Sequence, residues 1–150
     1  MKVLVPVVPA PGSCRSPAST ANTVAGARAA IGRCLADWRL ESLTGDVLLV
    51  MTEMLSNAVR HGTPPWGVRM WLFRGDEGPW YVRLEVDDAG PGIDIDVVRA
   101  RWRHPSGFLA EGGRGLLMVD ALASSWGDEP SSHGHTMWAQ LEARPGSAEG

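Results

Sequence analysis

The sequence predicts an α/β fold. Three observations carry that expectation. Residues 20–40 and 44–60 place apolar side chains at helical spacing, residues 67–74 and 80–87 alternate apolar with polar, and a shorter helical run at 115–123 precedes a last pair of strand-like runs.

Taken in order, residues 1–8 are apolar but contain Pro6, which suits an edge strand. Residues 9–19, rich in Pro, Ser and Gly, read as a loop. In 20–40, Val24, Ala27, Ile31, Cys34, Leu35 and Trp38 recur on one side of a helix. In 44–60, Val47, Leu48, Val50, Met51, Met54, Leu55, Ala58 and Val59 supply an apolar face. Thr44 stands as its N-cap, and His61-Gly62 as its stop. The two alternating runs form antiparallel strands joined by a turn at 75–79; Val82, Leu84 and Val86 point one way, Tyr81, Arg83 and Glu85 the other. Residues 94–112 show no strong period and are expected to be a long mobile connection. After the helix at 115–123, residues 124–127 and 136–141 read as strands around a turn at 128–134.

A chain of 150 residues accommodates one domain with a real core and not two ordinary ones, so 1–142 is read as a single domain and 143–150 as a disordered tail. A net charge of −3 argues against a protein that grips nucleic acid, which needs a basic face. Lys2 is the only lysine, which excludes a phosphate loop ending in Gly-Lys-Ser/Thr. Cys14 and Cys34 make no disulfide framework or metal cluster and are read as ordinary thiols of a reducing compartment. The N-terminal apolar run is short and broken by proline, and no other segment reaches the length of a membrane span. A cytoplasmic protein without membrane contact is expected.

Chemistry concentrates in three segments. In Thr52-Glu53-Met54-Leu55-Ser56-Asn57-Ala58-Val59-Arg60-His61-Gly62, Glu53 and Asn57 are one turn apart and share a helical face. A carboxylate there can orient a water or hydroxyl, and a carboxamide oxygen can ligate a hard cation such as Mg2+. Alone, such a pair is more often solvated surface. Asp87-Asp88-Ala89-Gly90-Pro91-Gly92-Ile93 could be a plain turn, yet Asp88 beside bare backbone can also accept a hydrogen bond from an exocyclic amine. Gly112-Gly113-Arg114-Gly115-Leu116 has the composition of a flexible loop, but glycine amides opening a helix are where phosphates bind. His133 and His135 have metal-like spacing without a third ligand and read as a loop pair, and His61 as a helix-end residue.

In this order the three segments resemble the GHKL-type ATP-binding fold shared by histidine kinases, gyrase and Hsp90. Asn57-Ala58-Val59-Arg60-His61-Gly62 is most similar to the N box of the anti-sigma-factor serine kinases. The resemblance spans about residues 20–141. It implies a two-layer α/β sandwich of the histidine-kinase-like ATPase (Bergerat) type, with a mixed, mainly antiparallel sheet covered by helices on one face. It implies Glu53 as general base, Asn57 as the Mg2+ ligand, and Asp88 as the adenine reader in a D-x-G-x-G box. Gly90, Gly92 and Ile93, the lid residues Gly113, Arg114, Gly115 and Leu116, and Thr136 of a Gly-Thr-Thr-Val-like strand are implied nucleotide contacts. ATP would lie between the helix of Glu53 and the segment 94–114. Where some of these kinases carry an arginine ahead of the lid glycines, this chain has Glu111, which leaves Arg114 as the candidate cation. The coverage leaves no room for a sensor, and implies a stand-alone regulator. Its implied partners are a sigma factor and an anti-anti-sigma (STAS-type) protein whose serine it phosphorylates. The alternative is a nucleotide-binding regulator without useful phosphoryl transfer, and a homodimer is compatible with either.

Overall fold

Alternation decides the middle of the sheet. The computed structural model describes residues 2–4, 24–74, 79–103 and 113–143. In strand β3, Trp80–Asp88, every second residue from Val82 is buried, and in β2, Gly67–Arg74, Val68, Met70 and Leu72 are buried on the same face. The register pairs them directly, Val68 with Val86, Met70 with Leu84 and Leu72 with Val82. Strand β5, Gly134–Ala143, continues the face with His135, Met137, Ala139, Leu141 and Ala143. With β1 (Lys2–Leu4) and β4 (Ser125–Ser131) the described sheet has five strands in the order β1-β2-β3-β5-β4. β1 is parallel to β2 and every other pair is antiparallel.

Helices cover the apolar face. Helix α2, Thr44–His61, buries Val47, Val50, Met51, Met54, Leu55 and Ala58, a stripe at three- and four-residue spacing. It lies against β3 and β5 and also touches α1, Val24–Asp37, and α4, Gly113–Leu122. Helix α1 adds Ala27, Ala30, Ile31, Cys34 and Leu35 to the same core. Each Leu, Ile or Met taken fully out of water there contributes about 1.5–3 kcal/mol. The opposite face of the sheet carries half-buried Trp71, Phe73, Tyr81, Arg83, Glu85 and Trp138, so the architecture is the expected two-layer sandwich.

Four local expectations change. Helix α2 has no threonine cap: the 3-10 turn Glu41–Leu43 runs straight into it, and the Thr44 N–H bonds to the Glu41 carbonyl. Part of the expected connection at 94–112 is a helix, α3, Ile95–Arg103, opened by Asp94, whose Oδ1 accepts the N–H groups of Asp96 and Val97 at 3.0 and 3.2 Å. The last hairpin is longer than expected, because β4 extends through Asp128 and Pro130 to Ser131; it is the edge of the sheet, where proline costs no ladder bond. Cys34 is disulfide-bonded and not the thiol expected.

The loop at 9–19, most of the turn at 75–79, Glu111 and Gly112, and the tail from residue 144 lie outside the described residues; Ala143, placed in the tail by sequence, ends β5. Among the described residues no helix is long and apolar enough to cross a membrane.

Candidate functional site

Asp88 ends β3 on the buried face and is 3% exposed, so its carboxylate needs partners. It has three. Oδ1 accepts the N–H of Gly90 at 2.6 Å and of Thr63 at 3.3 Å, and Oδ2 lies 2.7 Å from Nε2 of His135. Two glycines permit this approach. A Cβ on Gly90 would sit 2.8 Å from Oδ1, and one on Gly62, just past the end of α2, would overlap the carboxylate and the Ala58 carbonyl. The same Ala58 carbonyl accepts the N–H groups of Gly62 at 2.8 Å and the Trp66 indole at 3.2 Å, which fixes the chain where α2 stops.

His135 stands directly opposite Asp88 in the β3–β5 register. Its Nδ1 is hydrogen-bonded to Oδ1 of Asp128, a diagonal neighbour on β4. The other Asp128 oxygen accepts the Ile93 N–H at 2.9 Å. Gly92 has φ +92, and a Cβ there would also be 2.7 Å from Asp128 Oδ2. The glycine segment after Asp88 is therefore tied at Gly90 to one carboxylate and at Ile93 to the other, with His135 between them. Burial alone would lower the His135 pKa; the hydrogen bond and charge of Asp128, then the charge and hydrogen bond of Asp88, outweigh it and hold it above 6.5.

Asn57, on α2, lines one cavity with Asp88, His135, Met54, Ala58, His61, Val86 and Met137. Its free space is about 20 Å³, enough for one water and too little for a base. Met54 and Met137, unbranched and adaptable, are the lining groups best able to give way to a flat ring. Glu53, one turn earlier, faces α4: a Cβ on Gly115 would overlap its Oε2.

The structure thus brings Asn57 and Asp88 to one cavity wall, ties Gly90 to Asp88 and Ile93 to Asp128, sets Gly92 close against Asp128, and sets Glu53 against Gly115. Leu116 is buried in the core beneath α4. Gly113 and Arg114 form the first turn of α4, and the Arg114 side chain lies outside the described residues. Thr136 does not join the cavity. It has the opposite phase on β5 and lines a second cleft of about 450 Å³, which Asp88 also lines, with Trp66, Arg69, Asp87 and His133. His135, read from sequence as half of a loop pair, is the residue at the site. Its signal was its phase with Met137, Ala139 and Leu141, which puts it on the core face.

Residues 17–140 match the family model described as histidine kinase-like ATPase domain. No curated protein matches the chain. A similar solved structure is the histidine kinase domain from Erythrobacter litoralis EL346 blue-light activated histidine kinase, 18% identical, with a TM-score of 0.41, covering 67% of this chain. The match spans 44% of that kinase chain, less than half its length.

Proposed function

The chain belongs to the histidine kinase-like ATPase domain family, and from that premise we propose that it is a cytoplasmic, ATP-dependent protein serine kinase of the anti-sigma-factor type. The observation that carries nucleotide binding is Asp88: three donors hold its carboxylate at the wall of an apolar cavity that Asn57 lines from the facing helix. An acceptor-only group among methionine and valine side chains is what a flat base with an exocyclic amine requires. The glycines around Asp88 leave room for that carboxylate and no side chain of their own.

The roles follow from position. Asp88 takes the base. Asn57 would hold Mg2+, which when bound neutralises phosphate charge. Glu53 accepts the proton of the acceptor serine hydroxyl as that oxygen bonds to the γ-phosphorus and the bond to the bridging oxygen breaks, releasing ADP. The acceptor is a STAS-type anti-anti-sigma protein; once phosphorylated it leaves, and the kinase, as monomer or homodimer, sequesters a sigma factor. The support for this subtype is the N-box run ending at Gly62.

A second reading is favoured by the contact of Gly115 with Glu53, which covers the base with the first turn of α4. In it, nucleotide shifts α4 to present a partner surface, and no phosphate moves. The test is Glu53→Gln assayed with ATP and an acceptor STAS protein. The kinase reading expects near-normal ATP binding and transfer lowered by roughly 10²–10⁴-fold. Wild-type protein that binds ATP but transfers nothing to any such protein, with Glu53→Gln indistinguishable from it, leaves the regulator.

A further inference from the structure

His135 is 6% exposed and has a carboxylate at each ring nitrogen. A neutral imidazole carries one N–H and would turn a lone pair toward one of these carboxylates; the imidazolium donates to both. The arrangement is a closed circuit. Asp88 binds His135 and Gly90, Asp128 binds His135 and Ile93, and the short segment from Gly90 to Ile93 joins the two ends. The circuit crosses three strands, β3, β5 and β4, so no element of it turns without the others.

The acceptor capacity of Asp88 is then nearly filled. A carboxylate offers about four lone-pair sites. Gly90, Thr63 and His135 occupy three, which leaves one for a ligand on the cavity wall. A carboxylate fixed by donors on both oxygens has no proton to offer. It therefore meets a 6-amino group as a good partner and a 6-oxo group as a second acceptor, with nothing between them but repulsion.

We propose that His135, braced by Asp128, is a positioning residue that locks Asp88 as a proton acceptor and thereby makes the site select 6-aminopurine over 6-oxopurine nucleotides. This rests on the nucleotide reading above and adds the residue that sets its base preference. Asp128 acts through His135, and neither residue needs to touch the nucleotide.

The experiment is calorimetric binding of ATP and ITP, which differ at purine position 6, to the full chain and to His135→Phe, which keeps ring volume and removes both N–H groups. Wild type should prefer ATP by roughly ten- to a hundredfold, the scale of one buried unmatched polar group. In His135→Phe the preference should fall to within about threefold, mainly through loss of ATP affinity. His135→Gln, which keeps one N–H for Asp88, should retain part of the preference; a merely structural histidine predicts no such rescue. If His135→Phe does not fold, the Gln variant and the His135 ring-nitrogen NMR signals of wild type decide, and Nε2 should shift on adding ATP but not ITP. A wild type that binds both nucleotides equally overturns the inference, as does a His135 variant with unchanged preference or an Nε2 signal that ATP leaves in place. In those cases the nucleotide reading stands. A wild type that binds neither nucleotide removes both.

Discussion

Gly115 touches the Glu53 carboxylate at the point where any other residue would carry its Cβ. The first turn of α4 and the middle of α2 are thus in contact through a bare Cα on one side and an ionisable side chain on the other. The contact joins two segments that the sequence reading assigned to one site.

Gly115→Ala follows directly. The added methyl would overlap Oε2, the far end of a flexible side chain, so Glu53 moves and the helices stay packed. Alanine is also favoured over glycine inside a helix by about 1 kcal/mol, so thermal stability should not drop. A general base displaced by about an ångström loses on the order of 10²-fold in rate. The expected variant is stable, binds ATP and transfers phosphate about a hundredfold more slowly. Wild-type transfer rates in Gly115→Ala would show that Glu53 does its work elsewhere or does none.

Asn57→Ala separates metal from base recognition. Asn57 lies on α2, across the cavity wall from Asp88, and its half-exposed side chain is not part of the core. Calorimetry with Mg2+ should show ATP affinity reduced by at least roughly tenfold. The loss should shrink in EDTA, where the carboxamide has no cation to hold. Equal losses with and without Mg2+ would take the metal role from Asn57.

The same side chains show what a sequence reveals and what it hides. Helix α2 was legible because a six-residue buried stripe repeats at helical spacing, and β3 because its burial alternates without a break. Helix α3 was harder: its inward face is only Ile95, Val98 and Trp102, set among arginines and aspartates, and the capping role of Asp94 shows only once the helix is known. The extension of β4 was hidden by Asp128, Glu129, Pro130 and Ser131, a turn-like composition that an edge strand tolerates. Asp88, Gly90 and Gly92 declared themselves by local spacing. The His135–Asp128 bond did not, because it depends on a β4–β5 register that no local pattern encodes.

Gly62→Ala tests the wall of the site. Here the obstacles are the Asp88 carboxylate, already held by three donors, and the Ala58 carbonyl, which is backbone. Neither yields cheaply, in contrast to Glu53 beside Gly115. The expected outcome is a loss of about 1–3 kcal/mol in urea unfolding together with weakened ATP binding. Unaltered stability would mean that the α2 terminus and Asp88 are less closely packed than the structure has them.

The last prediction concerns pH, and its sign comes from His135. Burial lowers its pKa, but the bond to and charge of Asp128, followed by the charge and bond of Asp88, carry it above the ordinary 6.5. The titratable groups around it are those two carboxylates, on β4 and β3, and His61 of α2 across the cavity. A histidine whose folded pKa exceeds its unfolded one stabilises the fold fully below the unfolded value and loses that contribution as pH rises through the folded value. Urea unfolding free energy should therefore fall from about pH 6.5 upward, by no more than the slope of one proton. His135→Gln has no proton to lose and should be less stable at pH 6, with little change over the same window. A wild-type profile that is flat or rises across it, or a variant with the wild-type slope, would show that the Asp88–His135–Asp128 circuit does not hold a charged imidazole in solution.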